Sequence, residues 1–78
     1  MKTTRQMKEL IDEAEAAGFE VKIYTSMISI LRKHPRSKYI TRGILIFEDM
    51  TGFDARVPLE VSKTIRGYKN FREVLKLK

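Results

Sequence analysis

The spacing of hydrophobic and polar positions changes several times along this chain, and each change marks an element. Between Thr3 and Ala17, the residues Met7, Leu10, Ile11, Ala14 and Ala17 recur every three or four positions. That is the spacing of one apolar stripe on a helix. Thr3 and Gln6 stand at the separation of a capping box, in which each side chain satisfies a free backbone N–H of the other residue. Gly18 follows the last apolar position, where a left-handed residue ends a helix. Asp12, Glu13 and Glu15 fall on the outer, solvated face.

From Phe19 to Tyr24 the period drops to two. Phe19, Val21 and Ile23 point one way and Glu20, Lys22 and Tyr24 the other, which predicts a half-buried strand. Thr25-Ser26 offers a bend into a second run, Met27 to Lys33. The pattern alone leaves open whether these are two strands or one long bent strand. A polar segment containing His34, Pro35 and Ser37 separates that run from a third, Tyr39 to Glu48. Two β-branched and aromatic runs around turn residues read as a hairpin. Glu48 to Gly52 supplies the next turn, with Gly52 free to take positive φ. Phe53 to Val57 alternates again as a short last strand, and Pro58, lacking an N–H, ends the ladder. Gly43 reads as a bulge or a place of close backbone approach. Further on, Val61 and Ile65 suit a short helix ending at Gly67. Asn70 and Glu73 repeat the capping-box spacing before a second helix with Phe71, Val74 and Leu75 on its apolar face.

The predicted fold class is therefore α+β: a helix, a three- or four-stranded antiparallel sheet, and a C-terminal helix. Both helices should lie on one face of the sheet, over Val21, Ile23, Ile28, Ile30, Ile44 and Ile46. With 78 residues, the chain (1–78) is read as a single domain with one core.

Strand parity adds a second expectation. In Ile44-Leu45-Ile46-Phe47 both faces are apolar, because successive residues point to opposite sides. If Ile44 and Ile46 meet the helices, Leu45 and Phe47 lie beside Leu31 on the other face. That face is then either a protein interface, such as a homodimer contact, or it is buried by the C-terminal segment carrying Tyr68 and Phe71.

Charge sharpens the picture. The net charge is +6, but residues 1–31 carry four bases and five acids, whereas residues 32–78 carry twelve bases and five acids. The densest stretch is the hairpin: Arg32, Lys33, Arg36, Lys38 and Arg42 occur with no acid among them. A localised basic surface attracts nucleic acid or an acidic protein patch. Tyr39 lies among these cations, where it can stack or hydrogen-bond.

Other chemistry is sparse. The chain has no cysteine and one histidine, so disulfides, a thiolate zinc site, a cysteine nucleophile and a multi-histidine metal site are all excluded. No cofactor or metal is expected. Lack of cysteine is compatible with a reducing cytoplasm, the expected location. No apolar run approaches the roughly 20 residues that span a bilayer, and the polar, helical N-terminus does not read as a signal peptide. His34 has no acid near it in sequence to make it a general base, so no catalytic residue is assigned and the chain is read as a non-enzyme.

The order helix, strands, helix resembles two RNA-linked families, the double-stranded-RNA-binding domain and the HicA family of small bacterial mRNA-cleaving toxins. The likeness to HicA lies in Gly18-Phe19 after helix one and in Arg32-Lys33-His34-Pro35 ending a strand. It continues in Val57-Pro58, Lys63 and a last helix containing Arg72, Val74 and Leu75. The HicA catalytic histidine sits in a Gly-Ser-His motif early in the second strand; here that place reads Met27-Ile28-Ser29-Ile30. The resemblance thus implies the fold and an RNA-linked setting without the ribonuclease machinery. Three readings follow in order: nucleic-acid binding through the basic hairpin, a protein-binding inhibitor or adaptor of the phage or mobile-element type, and a HicA-like ribonuclease.

Overall fold

The computed structural model describes residues 3–37, 39–58 and 60–77. Helix α1 (Arg5–Ala16) leads into a meander of five antiparallel strands, β1 (Glu20–Ile23), β2 (Met27–Lys33), β3 (Ile40–Phe47), β4 (Thr51–Asp54) and β5 (Ile65–Arg66). Helix α2 (Tyr68–Leu75) closes the chain. Spatial order equals chain order, so every connection joins neighbours. The fold is the expected α+β arrangement, with one strand more than the pattern predicted.

The core lies between the sheet and both helices. Met7, Leu10, Ile11 and Ala14 from α1 and Phe71 and Leu75 from α2 are buried with Phe19, Ile28, Ile30, Ile44 and Ile46. Both helices therefore cover one face. Two polar links tie them together: Thr4 Oγ1 lies 3.1 Å from the Tyr68 hydroxyl, and Arg72 Nη1 donates to Glu13 Oε2. Glu13 is thus a partner of α2 as well as a solvated acid.

Several local expectations are corrected. The cap of α1 is Thr4, whose hydroxyl accepts from Met7 N; the helix starts one residue later than a Thr3 box requires. Gly18 does take positive φ, at 92°. Thr25 and Ser26 form a true bend, so β1 and β2 are separate strands. Ile23 is 54% exposed, because β1 is the sheet's edge and the helix-side core reaches no further along it than Phe19 and Val21. In the β3–β4 turn the positive φ falls on Met50, at 66°, and Gly52 lies inside β4. Asp49 secures that turn, its Oδ1 accepting from the Thr51 backbone N–H and hydroxyl. Strand β4 occupies Thr51–Asp54 and ends before Pro58.

The segment read as a short helix through Val61 and Ile65 contains no helix. Val61 is 68% exposed, and Ile65–Arg66 forms β5 against β4. Helix α2 then starts at Tyr68 with Gly67 as its N-cap, so Asn70 is inside the helix; its Nδ2 donates to Arg66 O at 2.8 Å.

Candidate functional site

The ladders flanking the central hairpin are shorter than the hairpin itself. On one side β1 pairs with β2 only as far as Glu20–Leu31; on the other β4 pairs with β3 only as far as Ile44–Asp54, with one further bond from Ala55 N to Gly43 O. Beyond Leu31 and Gly43, the strand pair continues through Arg32–Lys33 and Ile40–Arg42 to the hairpin turn as a short arm, with no strand beside it among the described residues. Five of the six residues predicted for the basic site, Arg32, Lys33, Arg36, Tyr39 and Arg42, belong to this arm.

Its base is well fixed. Arg32 lies on the helix side of β2, its guanidinium carbon 4.3 Å from the centroid of the Phe19 ring. Arg32 Nη2 donates to Ala17 O at the end of α1, a carbonyl left free by the helix terminus and favourable to a cation. Arg42 stands opposite Arg32 in the ladder and is half-buried. It lies near Asp54, whose carboxyl is held below its ordinary value chiefly by hydrogen bonds from Arg56, with Arg42 adding to the effect. The register shifts after Arg32, so that Lys33 pairs with Ile40. Thr41, the extra residue, donates its hydroxyl to Arg32 O at 3.0 Å.

Lys33 points to the other face, where its ammonium lies 4.0 Å from Glu20. Both side chains are about half exposed, a geometry worth little in water. At the tip, His34 N donates to Tyr39 O at 2.8 Å, and the two rings stack 5.2 Å apart at 16°. Arg36 N donates to His34 Nδ1. His34 is therefore a clasp for the arm, a role invisible without knowing that Tyr39 lies across from it. Tyr39 remains 59% exposed and Arg36 is exposed. Lys38 falls outside the described residues. The arm thus carries Arg32 and Arg42 on one face, Lys33 on the other and Arg36 at the tip.

The predicted interface residues Leu31, Leu45 and Phe47 do share the face turned away from the helices. Ladder register places Met27 and Phe53 with them, since Leu45 pairs with Phe53 and Phe47 with Met27. All five are half-buried. Phe47 and Phe53 meet edge to face with ring centroids 5.6 Å apart. Together with Ser26, Glu48, Asp49 and Thr51 they line an open groove of about 640 Å³ at the end of the face far from the arm. The alternative in which Tyr68 and Phe71 wrap over this face does not hold. Phe71 is fully buried on the helix side, and Tyr68 packs against its ring.

Among the described residues, no cluster of three or more metal-ligating side chains occurs, and no helix is long and apolar enough to cross a membrane. Compared with models of protein families, with curated proteins and with solved structures, the chain matches none.

Proposed function

We propose that this chain is a non-catalytic binding protein that docks double-helical nucleic acid through the β2–β3 arm. The observation that carries the reading is the arm itself: a strand pair that outruns its neighbours and carries cations on both faces and at its tip. A ribbon of two strands with backbones about 4.8 Å apart fits, with its side chains, a B-form major groove roughly 12 Å wide. Cations on both faces then meet phosphates on both walls, while Tyr39 at the tip reaches toward base edges. Arg32 is tied to Phe19 and Ala17 and chiefly sets the arm's angle. Lys33, Arg36 and Arg42 make the phosphate contacts. The resemblance to two RNA-linked families supports a nucleic-acid ligand in general, while the groove fit favours B-form DNA over A-form RNA, whose major groove is too narrow for a strand pair. The Met27-Ile28-Ser29-Ile30 stretch in place of the HicA histidine motif supports binding without cleavage.

The competing reading has the arm meeting an acidic protein surface, as an inhibitor or adaptor would. Titration of labelled 20-bp DNA and RNA duplexes and a single strand, at several salt concentrations, separates the two. Three phosphate contacts predict a log–log salt slope of roughly −3 on B-DNA. Reversing Lys33, Arg36 and Arg42 to Glu together should abolish duplex binding. Absence of duplex binding by the wild type at low salt, or affinity unchanged in the triple variant, overturns the proposal.

A further inference from the structure

At the tip of the arm the fold dictates the hydrogen-bonding state of His34. Its Nδ1 accepts the Arg36 backbone N–H at 3.2 Å. A backbone amide can only donate, so Nδ1 holds a lone pair. In the neutral ring the proton then sits on Nε2, because the bond made by one ring nitrogen sets the role of the other. The ring is also held in place. It stacks on Tyr39 with centroids 5.2 Å apart at 16°, and the His34 backbone N–H donates to Tyr39 O. Nε2 is the far nitrogen of that half-buried ring, and among the described residues it has no hydrogen-bond partner. The tip therefore presents a positioned N–H donor that cannot become an acceptor while the Arg36 bond lasts.

We propose that His34 is the base-reading residue of the arm, its Nε2–H donating to N7 of a guanine. The inference rests on the duplex-docking reading above and names what that site selects. In a B-form major groove guanine shows two neighbouring acceptors, N7 and O6. Adenine sets its N7 beside an amino donor, thymine sets its O4 beside a methyl group, and cytosine shows an amino donor. A donor with no acceptor of its own is matched best by guanine and worst by cytosine. The Lys33, Arg36 and Arg42 side chains, as phosphate contacts, position the arm without reading sequence. The preference is thus built into the hairpin turn, through one backbone bond and one ring stack.

Selection from a duplex DNA pool with a randomised core should enrich a guanine. Replacing that guanine by 7-deazaguanine, which carries C–H in place of N7 and keeps its base pairing, should weaken wild-type binding about fivefold. His34→Phe keeps an aromatic ring against Tyr39 and has no N–H. It should bind the two duplexes equally, with the wild-type salt slope, because no phosphate contact is lost. Comparing two duplexes within one variant cancels any loosening of the turn, and a circular dichroism melt shows that the variant is folded. Absence of duplex binding by the wild type overturns the docking reading and this inference with it. Duplex binding with no base enriched, or with equal affinity for the guanine and 7-deazaguanine duplexes, overturns the inference alone. So does a fivefold difference that persists in His34→Phe, which would assign the guanine contact to another residue.

Discussion

Arg32 stands directly across the β2–β3 ladder from Arg42. Two like charges facing one another destabilise a sheet, by a few tenths to about 1 kcal/mol. Here the conflict is relieved sideways: Arg32 is drawn to Phe19 and the end of α1, and Arg42 lies in the field of Asp54. Under the proposed function, Arg42 is a phosphate contact on this arm.

Arg42→Gln should therefore separate stability from binding. Removing one of two opposed charges leaves thermal stability unchanged or raised by up to about 0.5 kcal/mol. Duplex affinity should fall, with the salt slope shallower by about one contact. Melting and anisotropy titrations on the same preparation check both halves; a variant that melts lower and binds as well as the wild type contradicts this assignment.

Gly52 is small for a packing reason. A Cβ there would come 2.7 Å from Phe71 Cε1 and 3.0 Å from Ile44 Cδ1, and the residue does not take positive φ. Both neighbours are fully buried, so neither can move away freely. Gly52→Ala should cost roughly 1–3 kcal/mol by overpacking. Urea denaturation gives the number, and a loss below a few tenths of a kcal/mol would show that Phe71 has room to shift.

Much of this architecture is legible in the residue pattern because it is local. The stripe from Met7 to Ala14 and the alternation through Ile28, Ile30, Ile44 and Ile46 each specify an element and its buried face. Strand β5 is not local: two residues, Ile65 and Arg66, become a strand only because β4 lies beside them, and the Val61–Ile65 spacing imitates a helical turn. Gly52 invites a turn reading because glycine serves there so often, whereas the close approach of Phe71 comes from a residue nineteen positions away. The basic stretch from Arg32 to Arg42 was visible as composition. That it forms an arm depends on where β1 and β4 stop, and Arg32's engagement with Phe19 depends on the packing of α1. Phe53 joins the open face through its register with Leu45, which alternation alone does not reveal.

Acid should loosen the protein through Asp54 and Asp49. The Asp54 carboxyl is held below its ordinary value near 3.8 mainly by hydrogen bonds from Arg56, and that of Asp49 mainly by hydrogen bonds from Thr51. A carboxyl with a folded value below its unfolded one stabilises the fold fully above the unfolded value and loses that contribution as pH falls through the folded one. Stability should hold from neutral pH to about 5 and decline below 4. In Asp54→Asn the decline should be smaller. Urea midpoints between pH 7 and 2.5 test this; an equal decline in the variant and the wild type would assign the acid sensitivity to other groups.

The two faces of the sheet predict opposite outcomes for two phenylalanines of equal size. Phe71 is fully buried where α2 meets β3 and β4, in contact distance of any atom added at Gly52. Truncating a buried aromatic costs about 3–5 kcal/mol, and a core of this size supplies a net stability of about 3–5 kcal/mol. Phe71→Ala should therefore be largely unfolded at room temperature. Phe47 is half-buried on the face without helices, its ring resting against Phe53. Phe47→Ser removes that edge contact and some apolar area, at a cost of roughly 1 kcal/mol, and should remain folded while losing whatever docks on the face. Circular dichroism melts of the two variants side by side decide the matter. If Phe47→Ser unfolds as readily as Phe71→Ala, the face is part of the core of the isolated chain and is not available to a partner. If Phe71→Ala melts cooperatively near the wild-type temperature, α2 contributes little, and the assignment of the helix side as the principal core fails.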